Sequence, residues 1–556
     1  MSGLMEYTVD QVFRENVLLR PDHEFVVYPH RGVRWTFSQF DEVCAQMAKG
    51  LMAMDVKKGD HVAMWATNIP EWLMTMFATS MIGAVLVTVN TNYKIYELEY
   101  LMEQSDSSTL ILAHGYKAGN REYLECVQEL CPELKDCAPG QLVSKRLPRL
   151  KNVVHVGEES IPGMFGFAQL KELGKSVSDE ALCHERETQS CFDVINMQYT
   201  SGTTGFPKGV MLSSHSIVNN GKGIGDCMSL KPEDRLCIPV PLFHCFGCVL
   251  GVMASVTHGT TMVMVEAFNP VTVMEAVMWE KCTAVHGVPT MFVAILEHER
   301  FKEFSFPALR TGIMAGSPCP IKVMQQVIDE MGASEITITY GQTESAPALT
   351  MTTTTDPIEL RVTTVGMTMP DMEVRIADPE SGKMLPHGTQ GEIIARGYMV
   401  MKGYYKMPEA TRLAIDEEGW LHTGDLGVMD ENGYFKITGR LKDMIIRGGE
   451  NIYPRELEEF LYTHPAVRDV QVVGVPDAKY GEEVMACIVL REGVECTEEE
   501  ILTYTRERLS RFKVPHYVWF MESFPMTASG KIQKYKLREA AVEKYSLESV
   551  AAIETA

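Results

Sequence analysis

The chain has 556 residues, of which 45% are hydrophobic and 22% charged, and its formal net charge is -23 at pH 7. This length exceeds what one hydrophobic core normally supports, so we expect two or more domains, at least one of them large. The negative charge disfavours nucleic acid and anionic membranes as main partners, because both repel an acidic surface. Any phosphate site must therefore be a local arrangement of lysines, backbone N–H groups and a divalent cation.

The 14 cysteines are scattered, and the close pair Cys245 and Cys248 has no second pair or histidine cluster at zinc spacing. This pattern favours reduced thiols in a cytoplasmic protein. Neither end of the chain resembles a secretory or peroxisomal address, so no such targeting is expected. Two apolar windows, 73–89 and 246–265, are interrupted by glycines and by hydroxyl or His residues. They predict buried helices that run into strands, and no stable membrane insertion.

Up to about residue 365, helices alternate with short apolar runs. One helix is predicted to begin after Thr36 as its N-cap, and another to span residues 70–82. Strands are predicted at residues 61–65, 85–87, 109–112, 153–156, 236–239, 261–265 and 336–340. Because such alternation builds parallel sheets covered by helices, the expected fold class is α/β, with a large N-terminal domain of layered sheets.

From residue 372 the pattern changes to short alternating runs at 373–376, 391–396 and 434–437, which predict a small β unit. Further along, helices at 454–463 and 497–509 and strands at 467–475, 484–490 and 517–520 predict a small α+β domain. We place the domain boundary at residues 440–442. The expected organisation is an N-terminal domain of residues 1–439 and a C-terminal domain of residues 443–556.

The most distinctive segment is Tyr-Thr-Ser-Gly-Thr-Thr-Gly-Phe-Pro-Lys-Gly-Val-Met-Leu, residues 199–212, between two apolar runs that predict strands. Its glycines let the backbone approach a ligand, and its hydroxyls and N–H groups donate to oxyanions. A plain hairpin turn is the alternative, but it needs only two to five residues and no lysine. The spacing also differs from the loop Gly-x4-Gly-Lys-Ser/Thr of nucleotide triphosphatases, because Lys208 is followed by Gly209. The segment therefore predicts a different kind of phosphate loop.

Three later segments carry further candidate residues. Tyr340-Gly341-Gln342-Thr343-Glu344 follows an apolar strand, where Tyr340 could stack on a base, Thr343 could donate to a phosphate and Glu344 could bind Mg²⁺. An acidic residue there is also a common helix N-terminal charge. Asp425 follows Thr423-Gly424 and could hold a ribose diol or simply cap a loop. Lys531 lies in a Gly/Ser turn, where a solvated lysine is the default interpretation.

In this order, the segments resemble the motifs of the adenylate-forming superfamily, which includes acyl- and aryl-CoA synthetases, peptide-synthetase adenylation domains and beetle luciferase. The resemblance extends from residue 59 to Lys531 and rests on residues 200–209, 340–344, 423–425, 439–443 and 448–454. Pro241-Leu242-Phe243-His244-Cys245-Phe246-Gly247 and Tyr340-Gly341-Gln342-Thr343-Glu344-Ser345 are most similar to medium-chain fatty acyl-CoA synthetases. The resemblance implies that a carboxylate and ATP give an acyl adenylate and pyrophosphate, after which coenzyme A displaces AMP. ATP, Mg²⁺ and coenzyme A are the implied cofactors.

The resemblance also implies the roles of individual residues. Catalytic roles fall to Lys208, His244, Thr343, Glu344 and Lys531, with Glu344 as the Mg²⁺ ligand and Lys531 between the carboxylate and the α-phosphate. Nucleotide or coenzyme A contacts are implied for Thr200, Ser201, Gly202, Thr203, Thr204, Gly205, Lys208, Gly316, Tyr340, Gly341, Thr343, Asp425, Ile437, Arg440, Lys442, Gly448, Gly449 and Lys531. The acyl pocket is implied near His244, Phe246 and residues 285–289 and 314–316.

The same resemblance implies that the C-terminal domain is mobile and swings about a hinge at residues 440–442, with Lys442 as the hinge residue. The swing withdraws Lys531 and brings Gly448 and Gly449 to the pantetheine tunnel. A passive lid is the alternative for the C-terminal domain.

Several alternatives for the function stay open. Within the superfamily they are an aryl or phenylpropanoid CoA ligase, an adenylation domain that loads a carrier protein, and a luciferase-like oxidase. A non-catalytic nucleotide-binding or scaffold protein is the alternative from another class. The expected partners are a small-molecule carboxylate, ATP and coenzyme A, without nucleic acid, and a homodimer is compatible with the sequence.

Overall fold

The computed structural model describes residues 3–118, 121–200, 207–316, 319, 321–447, 450–477, 480–506, 509, 511–527 and 532–547. The chain folds as two compact units, Met1–Val374 with Ala395–Leu421, and Arg375–Ile394 with His422–Ala556. Residues 422–439 thus group with the C-terminal segment. The domain boundary and hinge at residues 440–442 stay a prediction.

The α-helices, in chain order, are α1 Val9–Leu19, α2 Phe37–Ala53, α3 Pro70–Ile82, α4 Ile95–Gln104, α5 Tyr123–Leu130, α6 Phe167–Gly174, α7 Asp179–Glu187, α8 Ser214–Cys227, α9 Ala254–His258, α10 Pro270–Trp279, α11 Pro289–Leu296, α12 Ile321–Met331, α13 Ile358–Thr363, α14 Pro408–Ala414, α15 Pro454–Leu461, α16 Glu498–Arg506 and α17 Lys534–Lys544. A π-helix, Phe246–Met253, runs directly into α9.

The strands, in chain order, are β1 Glu24–Tyr28, β2 Val33–Thr36, β3 His61–Trp65, β4 Val85–Thr88, β5 Thr109–Ala113, β6 Lys117–Ala118, β7 Arg121–Glu122, β8 Asn152–Val156, β9 Phe165–Gly166, β10 Val194–Thr200, β11 Lys208–Ser213, β12 Arg235–Ile238, β13 Thr261–Met264, β14 Ala284–Gly287, β15 Thr311–Met314, β16 Glu335–Gly341, β17 Ala348–Met351, β18 Met367–Thr368, β19 Met372–Ala377, β20 Gly391–Gly397, β21 Leu421–Met429, β22 Phe435–Arg440, β23 Ile445–Arg447, β24 Glu450–Ile452, β25 Val467–Asp477, β26 Gly481–Leu490 and β27 Tyr517–Phe520.

Two predicted helix starts are confirmed with their physical causes. The Thr36 hydroxyl accepts a hydrogen bond from the Gln39 backbone N–H at 3.3 Å, and the Gln39 side chain accepts one from the Thr36 N–H at 3.0 Å. This reciprocal pair is a capping box, and it fixes the start of α2. Helix α3 begins at Pro70, whose missing N–H costs nothing in a first turn, and it ends where Gly83 takes a φ of 69°.

The first unit contains two large sheets within the described ranges. One has nine strands in the order β18-β17-β16-β15-β14-β12-β13-β1-β2, and the other has seven in the order β11-β10-β4-β3-β5-β8-β9. The strands from β16 to β1 and from β10 to β9 run parallel. The α/β fold class is thereby confirmed, and the carboxyl ends of neighbouring strands share one edge of each sheet.

A buried amide ties the two large sheets together near those ends. The Asn68 side chain, which follows β3, donates to the carbonyls of Val240 and Val265, both at 3.0 Å, and its oxygen accepts from the Leu242 N–H at 2.8 Å. Val240 and Val265 follow β12 and β13. Asn68 therefore fixes the start of the segment that carries His244.

In the second unit, β21 and β22 form an antiparallel hairpin within the sheet β19-β20-β21-β22. A further sheet has the order β24-β23-β26-β25, and β27 pairs with β26. The short strands predicted at 373–376, 391–396 and 434–437 correspond to β19, β20 and β22, and the predicted α+β pattern is also present. No described helix, in either unit, has both the length and the apolar character needed to cross a membrane.

Candidate active site

The phosphate-loop segment closes a hairpin at the edge of the seven-stranded sheet. Strands β10 and β11 pair in antiparallel register, with Thr200 directly opposite Lys208, so the two strands predicted beside the loop are confirmed. The Tyr100 hydroxyl on α4 donates to the Pro207 carbonyl at 3.1 Å, which anchors the second arm. The predicted phosphate contacts Ser201, Gly202, Thr203, Thr204 and Gly205 lie outside the described residues.

The predicted acyl-pocket residues come together at the carboxyl edge of the nine-stranded sheet. Gly287 pairs with Met314, which pairs with Ile338, so the segments that follow β14 and β15 and the end of β16 are neighbours. Gly316 takes a φ of 90°, and a Cβ at this position would lie 3.2 Å from Val288 Cγ1 and 3.9 Å from Phe246 Cδ1. The edge is therefore narrow and apolar at Gly316. Ligands of α/β sheets collect at such edges.

His286 adds a buried polar group beside these apolar residues. Its ring lies 5.5 Å from the Phe246 ring, and its Nε2 donates to the Leu250 carbonyl at 3.0 Å. The side chain is fully buried, and this burial lowers the pKa of His286 to about 4. His286 is therefore neutral at pH 7, and it lies as an uncharged group against Phe246.

His244 lies next to the Cys245 sulfur, which also approaches Thr343. Its Nδ1 accepts a hydrogen bond from the Phe246 N–H at 3.2 Å, so the neutral ring carries its hydrogen on Nε2. The Cys245 sulfur lies 3.5 Å from the same Nδ1 and 3.8 Å from the Thr343 hydroxyl. The structure thus brings two predicted catalytic residues, His244 and Thr343, to either side of one thiol.

Glu344 and Lys208 converge on an aromatic side chain that the sequence analysis did not identify. The Tyr404 hydroxyl donates to Glu344 Oε1 at 2.8 Å, and the Lys208 ammonium lies 4.9 Å from the centre of the Tyr404 ring. Tyr404 is 8% exposed, and its burial next to the Glu344 carboxylate raises the pKa of its hydroxyl far above the usual range. The sequence Gly403-Tyr404-Tyr405-Lys406 could have marked it, since two aromatics between a glycine and a lysine are unusual in a surface loop.

Glu344 fits the implied Mg²⁺ role by its chemistry. Its carboxylate is a hard oxygen ligand, and it lies in the first unit with Thr343 and Lys208. In the described part of the chain, no three His, Cys, Asp or Glu side chains form a cluster that could hold a metal by themselves. Mg²⁺ commonly needs no such cluster, because it is held by one or two carboxylates together with substrate phosphates and water.

In the second unit, Asp425 and Arg440 lie directly opposite each other on β21 and β22. Arg440 Nε donates to Asp425 Oδ1 at 2.6 Å, and Asp425 is 4% exposed. The Glu392 carboxylate accepts from the Gly424 N–H at 2.9 Å, which holds the backbone of β21 next to Asp425. Asp425 is therefore part of a strand, and the loop-capping alternative does not describe it.

The other predicted residues of the second unit are partly described. Ile437 lies on β22 opposite Gly427, and Lys442 lies in a short 3₁₀ turn, Leu441–Asp443. Gly448, Gly449 and Lys531 lie outside the described residues. The roles of all predicted site residues stay predictions.

Comparison with known proteins adds independent findings. Residues 13–405 match the family model of the AMP-binding enzyme, and residues 456–531 match that of the AMP-binding enzyme C-terminal domain. The chain is 54% identical over 549 residues to YngI of Bacillus subtilis (strain 168), named as an acyl-CoA synthetase, covering 99% of this chain and 100% of that protein. It is 41% identical over 549 residues to the mitochondrial medium-chain acyl-CoA ligase ACSF2 of Danio rerio, covering 98% and 90%. The ATP-bound crystal structure of MatB from Rhodopseudomonas palustris is similar with a TM-score of 0.83 and 27% identity, covering 97% of this chain and 100% of that one.

Proposed function

The chain belongs to the AMP-binding enzyme family, and from this premise we propose that its carboxylate substrate is a medium-chain fatty acid or a similar hydrophobic acid. The protein is an ATP-dependent acyl-CoA ligase that forms an acyl adenylate with release of pyrophosphate and then a thioester with coenzyme A. ATP, Mg²⁺ and coenzyme A are its cofactors. The apolar edge at Gly316, lined by Phe246 and Val288, is the observation that supports a hydrophobic acid.

In the first half-reaction, the attacking carboxylate and the α-phosphate are both anionic, so catalysis depends on positioning and charge neutralisation. We assign Lys208 to the outer phosphates, Thr343 to the α-phosphate, Glu344 to Mg²⁺ and Lys531 to the bridging oxygens. The convergence of Glu344 and Lys208 on Tyr404 supports the part of this assignment that concerns the phosphates. Mg²⁺ would neutralise the part of the phosphate charge that Lys208 and Lys531 do not offset.

In the second half-reaction, a thiol needs the space that Lys531 occupied. We assign the exchange to a rotation of the C-terminal domain about Lys442, which would bring Gly448 and Gly449 to the pantetheine arm. Glycines suit such a place because they leave room for a ligand against the backbone.

A carboxylate panel tests the substrate class. Purified protein with MgATP and coenzyme A is given octanoate, hexadecanoate, benzoate or coumarate, and AMP release is measured. We expect the highest kcat/KM with octanoate. Preference for benzoate or coumarate would favour an aryl or phenylpropanoid CoA ligase, and no AMP with any acid would contradict the ligase assignment.

Lys531→Ala tests the division of labour between the half-reactions. Adenylation should fall by about a thousandfold, because the ammonium that offsets developing charge is removed. Thioester formation from supplied octanoyl-AMP and coenzyme A should stay near the wild-type rate. Lys536→Ala, a nearby lysine on α17, is the matched control and should leave both steps unchanged. Equal losses in both half-reactions of Lys531→Ala would contradict the assignment.

The location and assembly of the protein are separate proposals. We propose that it acts in the cytoplasm, in accord with its free cysteines, although the ACSF2 relatives are named as mitochondrial. We also propose that it binds no nucleic acid, as its net charge of -23 suggests, and that it forms a homodimer. Cell fractionation, a gel-shift assay with duplex DNA and light scattering, respectively, test these three proposals.

A further inference from the structure

We propose that Tyr404 is a positioning residue for adenylation, which orients the Glu344 carboxylate towards Mg²⁺ and holds Lys208 at the phosphates. This inference rests on the assignment of Glu344 and Lys208 under the proposed function. Tyr404 itself touches no reacting atom in this scheme. It connects two groups that lie 136 positions apart in the chain, from Lys208 to Glu344, through one ring.

The backbone of Tyr404 is held on both sides. Residues 402–405 lie along β11, where the Lys402 N–H donates to the Met211 carbonyl at 2.9 Å, the Met211 N–H to Gly403 at 3.0 Å and the Tyr405 N–H to Gly209 at 2.8 Å. Met401 N–H donates to the backbone carbonyl of Glu344 at 2.9 Å. The segment therefore continues the phosphate-loop hairpin at one side and the Glu344 turn at the other.

The Tyr404 hydroxyl is suited to orient a carboxylate. The hydroxyl donates to Glu344 Oε1 at 2.8 Å, and a phenol O–H is a single, directional donor on a rigid ring. A hydrogen bond from a hydroxyl to a carboxylate is stronger than one between neutral groups, and it fixes the rotation of the carboxylate plane. Glu344 would then meet Mg²⁺ with its carboxylate already oriented.

The Tyr404 ring serves a separate purpose. A lysine ammonium 4.9 Å from a ring centre is within the range of a cation–π contact, which restricts a side chain that otherwise has many rotamers. Lys208 begins β11 and belongs to the predicted phosphate-loop segment. The hydroxyl and the ring therefore make separable contributions, one to Mg²⁺ and one to ATP.

Two variants separate these contributions. Tyr404→Phe keeps the ring and removes the hydroxyl, so the Mg²⁺ concentration for half-maximal octanoate-dependent ATP–pyrophosphate exchange should rise about tenfold. ATP affinity without Mg²⁺, measured by calorimetry, should stay at the wild-type value. Tyr404→Leu removes the ring as well, and metal-free ATP affinity should then also fall, by about threefold.

Tyr405→Phe is the matched control. Tyr405 is the next residue of the same segment, and its hydroxyl also donates to a carboxylate, that of Asp106 at 3.0 Å, but it does not contact Glu344. It should leave both measurements unchanged. Melting temperatures of the ligand-free variants show whether folding is intact.

An unchanged Mg²⁺ requirement in Tyr404→Phe would overturn the inference, as would an equal loss of ATP affinity with and without Mg²⁺. If the wild type binds MgATP but activates no acid, the proposed function fails, while MgATP affinities of the variants still decide the role of Tyr404. A wild type that does not bind MgATP would overturn both.

Discussion

Asp425 combines near-complete burial with an ion pair to Arg440, whose side chain is 48% exposed. If the carboxylate holds the ribose diol, Asp425→Ala should raise the KM for ATP about tenfold, the effect of one lost charged hydrogen bond. The wild type should prefer ATP to 2′-deoxy-ATP, and the variant should lose this preference. Steady-state kinetics with both nucleotides measure it.

Glu459→Ala is the control for Asp425. Glu459 is a half-exposed carboxylate on α15 of the same unit that pairs with Arg455 at 3.0 Å. Its removal should change neither KM, because an exposed i,i+4 pair contributes little. Unchanged discrimination between the nucleotides in Asp425→Ala would exclude a direct ribose contact.

His286 predicts a specific pH dependence of stability. Its pKa is lowered to about 4 in the folded chain and is near 6.5 in the unfolded chain, so the unfolded chain binds the extra proton between these values. Stability from this group is complete above pH 6.5 and is lost as pH falls towards 4. Between pH 7 and pH 5 the loss is about 2 kcal/mol, from 1.36 kcal/mol per pKa unit.

Urea unfolding at pH 7 and pH 5 measures this pH-dependent loss of stability. His286→Gln keeps a donor for the Leu250 carbonyl but cannot be protonated, so its stability should fall less between the two pH values than that of the wild type. His387→Gln, at an exposed turn, should behave like the wild type. Equal pH dependence in His286→Gln and the wild type would contradict the burial argument.

At the scale of elements, the two edges of the nine-stranded sheet have different roles. The carboxyl edge carries the candidate site, and the amino edge carries ion pairs between Glu24, Arg34, Asp234, Arg235, Glu280, Arg310 and Glu335. Arg235, which begins β12, bonds Glu24 at 2.6 Å and Glu280 at 2.5 Å. Glu280 is 8% exposed.

Arg235→Met should therefore destabilise the fold without changing the reaction. We expect a loss of about 3 kcal/mol in the free energy of unfolding, because Arg34 is then the one ion-pair partner of the buried Glu280 charge among the described residues. Activity per folded molecule should stay unchanged. Calorimetry measures the stability, and octanoate kinetics measure the activity. A changed kcat/KM would contradict the view that the amino edge of the sheet serves stability alone.

Arg412→Met is the control, because Arg412 pairs with Glu409 on the solvent-exposed α14. Its removal should change stability by less than about 0.5 kcal/mol. Adding Glu280→Gln to Arg235→Met should restore part of the loss by removing the poorly compensated charge.

The helices and strands whose bounds were predicted best have bounds that depend on nearby residues in the sequence. Helix α3 has its predicted bounds because Pro70 and Gly83 mark its ends, and β3 and β27 also have their predicted bounds, as short runs rich in apolar residues. The π-helix could not be distinguished from an α-helix, since residues 246–253 are apolar or glycine throughout and carry no period. A loop-capping role for Asp425 stayed open in the sequence, whereas pairing with Arg440 places Asp425 in β21.

In the candidate site, too, some residues could be identified from the sequence and others could not. Thr200, Lys208, Thr343 and Glu344 were found from residue types that suit phosphate and metal, while their mutual placement depends on strand order. Tyr404 was missed because its partners, Glu344 and Lys208, are distant in sequence and only the fold brings them to it. Lys531 was identified from the resemblance alone.

At the scale of the whole molecule, the hinge proposal makes one prediction. Lys442→Pro fixes φ and should slow a rotation about this residue. Thioester formation from supplied octanoyl-AMP should then fall at least tenfold more than adenylation, because the second step requires the domain to move. Single-turnover measurements of the two half-reactions test this.

Lys442→Ala is the control, since it removes the ammonium and keeps backbone freedom, and it should leave the ratio of the two rates at the wild-type value. A similar ratio in Lys442→Pro and Lys442→Ala would place the hinge elsewhere.

The π-helix Phe246–Met253 has a consequence for how this fold can diverge. Its wider turn holds more residues per unit of length than an α-helix does, so losing one residue would let the segment tighten towards α geometry without breaking the helix. Such a deletion would turn side chains within the shortened segment to new faces, while α9 and β13 keep their places. A single codon lost here could therefore change which acids the enzyme accepts and leave the fold intact, a short evolutionary step between relatives with different substrates.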